Sequence, residues 1–121
     1  MKHINVNKEF GSFEGLFKEV KLMLSQFGDR TQLIRKTSSD AAKDFLDESL
    51  DFIFFDANHE FDSVYSDISS WFPKIKKGGI FMGHDWDHGN FPGTTKAVKK
   101  YFVNNKIEAI SSPYHVWWVV K

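Results

Sequence analysis

The chain has 121 residues, with 16 basic and 16 acidic side chains and so no formal net charge. That balance argues against a broadly basic face for nucleic acid, and the absence of Cys excludes disulfides and thiolate metal sites. Hydrophobic residues make up 41% and aromatic residues 17%, which describes one packed domain rather than a disordered chain.

The first ten residues, MKHINVNKEF, hold no apolar signal core. The longest strongly apolar runs are about five residues, as in Val116 to Val120, too short to span a bilayer. A soluble cytoplasmic protein without a membrane or nucleic-acid partner is the resulting expectation.

In chain order, Ile4 and Val6 alternate with polar residues and suggest a short strand within Met1 to Gly11. Phe13, Leu16, Phe17, Val20, Leu24 and Phe27 then recur at helical spacing, with Ser12 as N-cap and Gly28 as C-cap. This predicts a helix over Ser12 to Phe27, followed by a short strand at Thr31 to Arg35. Ser38, Ser39 or Asp40 caps a second predicted helix reaching Leu46. Phe52 to Phe55 is continuously apolar, the pattern of a strand buried on both faces.

Phe61, Val64, Tyr65, Ile68, Trp71 and Phe72 form another helical stripe, ending near Pro73. Lys77-Gly78-Gly79 then supplies a turn into a strand at Ile80 to Gly83. A polar loop, Asp87 to Gly93, precedes a helix capped by Thr94 or Thr95. Ile107 to Ile110 and Tyr114 to Val120 are the last predicted strands. They are joined too tightly around Pro113 for a parallel crossover, so that pair is expected to be antiparallel. Alternating strands and helices give an α/β fold, a mostly parallel sheet with helices on both faces and an antiparallel final strand.

Ligands of open α/β sheets bind beyond the carboxyl ends of the strands. Asp56 and His59 follow one predicted strand, and His84 and Asp85 follow the next. If those strands are neighbours, the four side chains converge into a set rich in oxygen and nitrogen. Mg²⁺, Mn²⁺, Fe²⁺ or Zn²⁺ suits such a set, and general acid–base work suits it as well. Plainer roles are open too: Asp56 capping the next helix, His59 bonded to backbone at the helix start, His84 packed under the loop. Asp87 and His88 extend the cluster and hint at a zinc hydrolase, but the spacing matches no metalloprotease helix motif.

The order Asp56-Ala57-Asn58-His59, Asp67, Trp71, Pro73, Lys77-Gly78-Gly79-Ile80, Gly83-His84-Asp85-Trp86, Pro92-Gly93 and Lys96-Ala97-Val98 resembles the C-terminal portion of class I S-adenosylmethionine-dependent methyltransferases. The small-molecule and sugar O-methyltransferase branch is the most similar. The resemblance implies a Rossmann-like sheet in which Phe52 to Phe55 is the fourth strand and Ile80 to Gly83 the fifth. By the same resemblance Asp56, Asp85 and His84 hold a divalent metal such as Mg²⁺. His59 and His84 are the catalytic candidates, and Ser38, Ser39, Asp40 and Asp56 lie towards S-adenosylmethionine.

The family's glycine-rich cofactor turn is not visible. The resemblance therefore implies an N-terminally truncated methyltransferase fold, with 1–121 as a single domain beginning at or after the second strand. The fourth strand would then expose an edge. Thr31 to Arg35, a second copy in a homodimer, or a separate polypeptide would cover it. The implied function is methyl transfer to a small-molecule hydroxyl. The alternative is an inactive domain that dimerises or binds a partner.

Overall fold

The computed structural model describes residues 9, 11–111 and 113–121. The strand expected around Ile4 and Val6 lies outside the described residues. Residues 1–35 and 36–121 form two compact units.

In the first unit, helix α1 spans Phe13–Ser25. The Ser12 hydroxyl accepts the Gly15 N–H at 3.0 Å, the cap expected from sequence. Gly28 does not end the helix directly. It opens a 3₁₀ turn, Gly28–Arg30, after a C-cap at Gln26. Arg35 bonds Glu14 at 2.6 Å and lies over the Phe17 ring. That guanidinium holds the Glu14 carboxyl below its ordinary range, first by the hydrogen bond and then by charge. Thr31 to Arg35 is not a strand, contrary to the expectation.

The second unit opens with helix α2, Ser38–Ala42, shorter than the helix expected to reach Leu46. Its N-cap is Thr37, whose hydroxyl accepts the Asp40 N–H; Ser38, Ser39 and Asp40 lie inside the first turn. Strand β1 is Leu50–Phe55, helix α3 Phe61–Trp71 and strand β2 Ile75–Gly83. Helix α4 is Pro92–Asn104, with strands β3 at Ile110–Ser111 and β4 at Trp117–Val120. The cap of α4 is Phe91 rather than Thr94 or Thr95, because Pro92 supplies the fixed φ of a first helical residue.

The sheet order is β1-β2-β4-β3. β1 and β2 run parallel, so the two strands expected to carry the chemistry are neighbours. β3 and β4 run antiparallel, as the tight connection around Pro113 requires, and β4 is also antiparallel to β2. The Lys77-Gly78-Gly79 segment is a bulge inside β2 rather than a turn before it. The register steps from Leu50↔Ile75 to Phe52↔Ile80, and Gly78 takes φ +79° there. The bulge's backbone is satisfied by Lys121, which accepts from Gly78 and donates to Gly79.

One sheet face presents Ile53, Phe55, Phe81, Trp117 and Val119 to a cluster with Val64, Ile68, Ala97, Val98 and Phe102 of α3 and α4. Edge-to-face contacts of Phe72 with Phe81 and Phe102 fill its centre. The opposite face is different. Phe52 is 53% exposed and Phe54 47%, so the apolar run of β1 is not buried on both faces.

Candidate functional site

β1 stops at Phe55 because the chain turns away through Asp56 to Glu60. Asn58 Oδ1 accepts the Glu60 N–H at 2.8 Å, closing a tight turn that presents His59. Gly93, in the first turn of α4, lies against this turn. A Cβ there would stand 2.5 Å from the His59 carbonyl oxygen and 2.7 Å from the Phe61 nitrogen, so only glycine allows the approach.

β2 ends one strand over. The His84 N–H donates to the Phe55 carbonyl at 3.0 Å, which keeps the two strand ends in step. Asp85 and Asp87 then take φ of 63° and 52°, left-handed values that Asp tolerates better than most residues. The Asp87 N–H donates to Thr95 Oγ1 at 2.7 Å. Trp86 and His115 are bonded twice, N–H to carbonyl at 2.9 Å and ring Nδ1 to carbonyl at 2.8 Å. The turn after β2 is thus tied to both α4 and the loop before β4.

This scaffold places Asp85, 4% exposed, between two imidazoles. His59 Nε2 lies 2.8 Å from Asp85 Oδ2, and His84 Nδ1 lies 3.1 Å from Oδ1. A buried carboxylate carries a large desolvation cost unless its oxygens are bonded, and here both are. Phe91 stacks on the His59 ring at 4.0 Å and fixes its plane.

Asp56, His59 and Asp85 each offer a ligand atom within 4.8 Å of the others. A divalent cation fits that spacing. His84 touches Asp85 but lies outside the convergent set, as do Asp87 and His88. The plainer roles also separate: α3 has no side-chain cap, so Asp56 does not cap it. Beside the set, Thr94 is buried and its Oγ1 has no hydrogen-bond partner among the described residues. Thr94 lines a small pocket with His84, Asp85 and Asn58.

A larger cleft of about 280 Å³ lies along the end of β1, lined by Ser38, Ile53, Phe54, Phe55, Asp56, Ala57 and Trp71. Trp71 Nε1 donates to Ser38 Oγ at 2.9 Å. Burial pushes the Asp67 carboxyl above its ordinary range, and a hydrogen bond with Ser38 partly offsets the rise. Of the residues expected near the cofactor, Ser38 and Asp56 share this cleft. Ser39 and Asp40 are exposed and do not line it. Bonds from Lys43 and Thr37 engage the Asp40 carboxylate and hold its pKa down, the Lys43 bond contributing most.

Sequence reasoning missed Phe91, His115 and Thr94. Phe91 reaches His59 from 32 positions away in the chain, and no local pattern marks such a contact.

Comparison with known proteins now gives this geometry a family. The model of a family described as a methyltransferase domain matches residues 4–86. The chain belongs to that family, within the class I S-adenosylmethionine-dependent methyltransferases. A protein of known structure from Corynebacterium glutamicum matches 91% of the chain and 57% of its own length, with a TM-score of 0.71 at 13% identity. The O-methyltransferase NovP matches 86% of the chain and 44% of its own length, with a TM-score of 0.63 at 18% identity. MycE methyltransferase from the mycinamycin biosynthetic pathway, solved in complex with Mg and SAH, matches 69% of the chain and 28% of its own length. Its TM-score is 0.50 and its identity 17%. At these identities the likeness is one of fold. The chain spans little more than half the length of these proteins, or less. Among the described residues no helix is long and apolar enough to cross a membrane.

Proposed function

We propose that this chain forms the acceptor side of an O-methyltransferase acting on a small-molecule hydroxyl, with 1–121 working as a single methyltransferase-like domain. The observation that carries the reading is Asp85, buried and held by two imidazoles at the carboxyl ends of adjacent parallel strands. NovP is an O-methyltransferase and shares the fold, which supports the reaction class.

The residues divide the work as follows. Asp85 Oδ1 accepts His84 Nδ1–H, which fixes the tautomer and leaves the Nε2 lone pair free. His84 is half-buried and would serve as general base, taking the acceptor's hydroxyl proton at Nε2. Asp56, His59 and Asp85 would hold a divalent cation, which when bound polarises the acceptor oxygen as a Lewis acid. The cleft between Ser38, Phe54, Asp56 and Trp71 takes the methyl donor, its apolar walls suited to a purine and its Asp56 end to polar groups. S-adenosylmethionine, when bound, would supply a methyl group on a positively charged sulfur, which would leave as the neutral thioether S-adenosylhomocysteine once its bond to the methyl breaks.

The test is transfer of a labelled methyl group from S-adenosylmethionine to sugar and phenolic acceptors. His84→Asn is expected to lower kcat about 10²- to 10⁴-fold while donor affinity stays within about threefold. Unchanged kcat would remove His84 as the base.

A second reading rests on a separate observation. Among the described residues β1 pairs only with β2, so its other edge carries open backbone donors and acceptors next to exposed Phe52 and Phe54. Such an edge is a template for a further strand, and we propose a homodimer formed through it. Sedimentation equilibrium tests this: a monomer at every concentration would rule the dimer out.

A further inference from the structure

We infer that the cation position is built for a borderline transition ion, Zn²⁺, Co²⁺ or Fe²⁺, in preference to Mg²⁺, and that His59 is the residue that makes it so. The inference rests on reading this cleft as a cation site, but it needs neither methyl transfer nor a bound donor. The family resemblance points to Asp56, Asp85 and His84 around Mg²⁺. The geometry exchanges one ligand, since the atoms that converge within 4.8 Å belong to Asp56, His59 and Asp85.

The exchange matters chemically. Mg²⁺ is hard, demands near-octahedral oxygen and keeps several of its waters. An imidazole nitrogen suits Zn²⁺ and its neighbours in the first transition row, and one nitrogen among three protein ligands biases a site towards them. His59 is prepared for the task. Phe91 stacked on its ring fixes the plane, and the Asn58 turn together with Gly93 fixes its backbone. The partner bond from His84 holds Oδ1 of Asp85 and leaves Oδ2 on the side of His59. Metal-binding carboxylates are commonly oriented by this kind of outer bond. Thr94, whose buried Oγ1 has no hydrogen-bond partner among the described residues, lines the small pocket beside Asp85.

Calorimetric titration of the full chain with ZnCl₂, CoCl₂ and MgCl₂ separates the cases, combined with ¹⁵N-histidine NMR. Zn²⁺ is expected to bind at least about 100-fold more tightly than Mg²⁺, with the His59 Nε2 resonance moving on addition. His59→Asp makes the set all-oxygen and is expected to cut the Zn²⁺-to-Mg²⁺ ratio by about tenfold or more. His84→Asn keeps the ligands and is expected to change the ratio less than about threefold, although Zn²⁺ affinity itself falls by up to about tenfold. Equal affinity for the two ions, or an unchanged ratio in His59→Asp, would overturn the inference, as would no binding of any ion. Donor binding with no ion preference would sink this inference alone. Ion preference without donor binding would sink only the methyl-transfer reading.

Discussion

The two faces of the sheet use the same kinds of residue and end up differently. Ile53, Phe55, Phe81 and Val119 face α3 and α4 and join a continuous core. Phe52, Phe54, Ile80 and Val120 alternate with them along the same strands, yet each is exposed. Apolar character is therefore not what separates the faces. Two amphipathic helices pack on one of them, and the difference lies in what covers a side chain rather than in what it is.

The largest effect that would sharpen this contrast is on the packed face. Phe81 is fully buried and touches Phe55, Phe72, Phe102 and Trp117. Phe81→Ala is expected to destabilise by about 3–5 kcal/mol in urea unfolding, through lost burial plus the cavity left behind. Phe54→Ala, one residue type on the open face, is expected to cost under about 1 kcal/mol. Equal losses would mean that Phe54 is covered in solution, and the homodimer would be the first explanation to examine.

Asp67 offers a test between these extremes, because it is a carboxylate buried on α3 beside the core. Burial raises its folded pKa above the unfolded value. As pH climbs from the ordinary carboxylate value near about 4, the folded state keeps a proton that the unfolded chain has lost. Stability contributed by this group therefore falls through that window, and the penalty is complete above the folded pKa. Asp67→Asn retains a partner for Ser38 and removes the charge. It is expected to unfold at higher temperature than the parent at neutral pH, with the gain vanishing below the carboxylate range. A gain that persists at acid pH would assign it to packing instead.

The architecture was largely legible because helical stripes and apolar runs are local signals. Ser12, the stripe from Phe61 to Trp71 and the tight link at Pro113 each declared their element. The convergence of Asp56, His59 and Asp85 followed from two strands being neighbours, which the crossover pattern implied. What stayed hidden was non-local. The run Phe52 to Phe55 carries no mark of which face a helix will cover. Thr31 to Arg35 has strand-like residues, but propensity alone does not supply a partner ladder. The bulge at Gly78 lengthens β2 beyond its apolar stretch. That His59 rather than His84 converges with Asp56 and Asp85 depends on a turn at Asn58 and a stack on Phe91 that spacing does not encode.

Methyl transfer at the acceptor site depends on donor recognition, because the acceptor hydroxyl has nothing to react with unless the donor binds. The decisive measurement is calorimetric titration of the pure chain with S-adenosylmethionine, repeated with Asp56→Asn. Saturable one-to-one binding that weakens in the variant is expected, accompanied by a change in Trp71 fluorescence from the cleft wall. No heat at millimolar donor would contradict it and leave the chain as a methyltransferase-family domain that works through a partner strand.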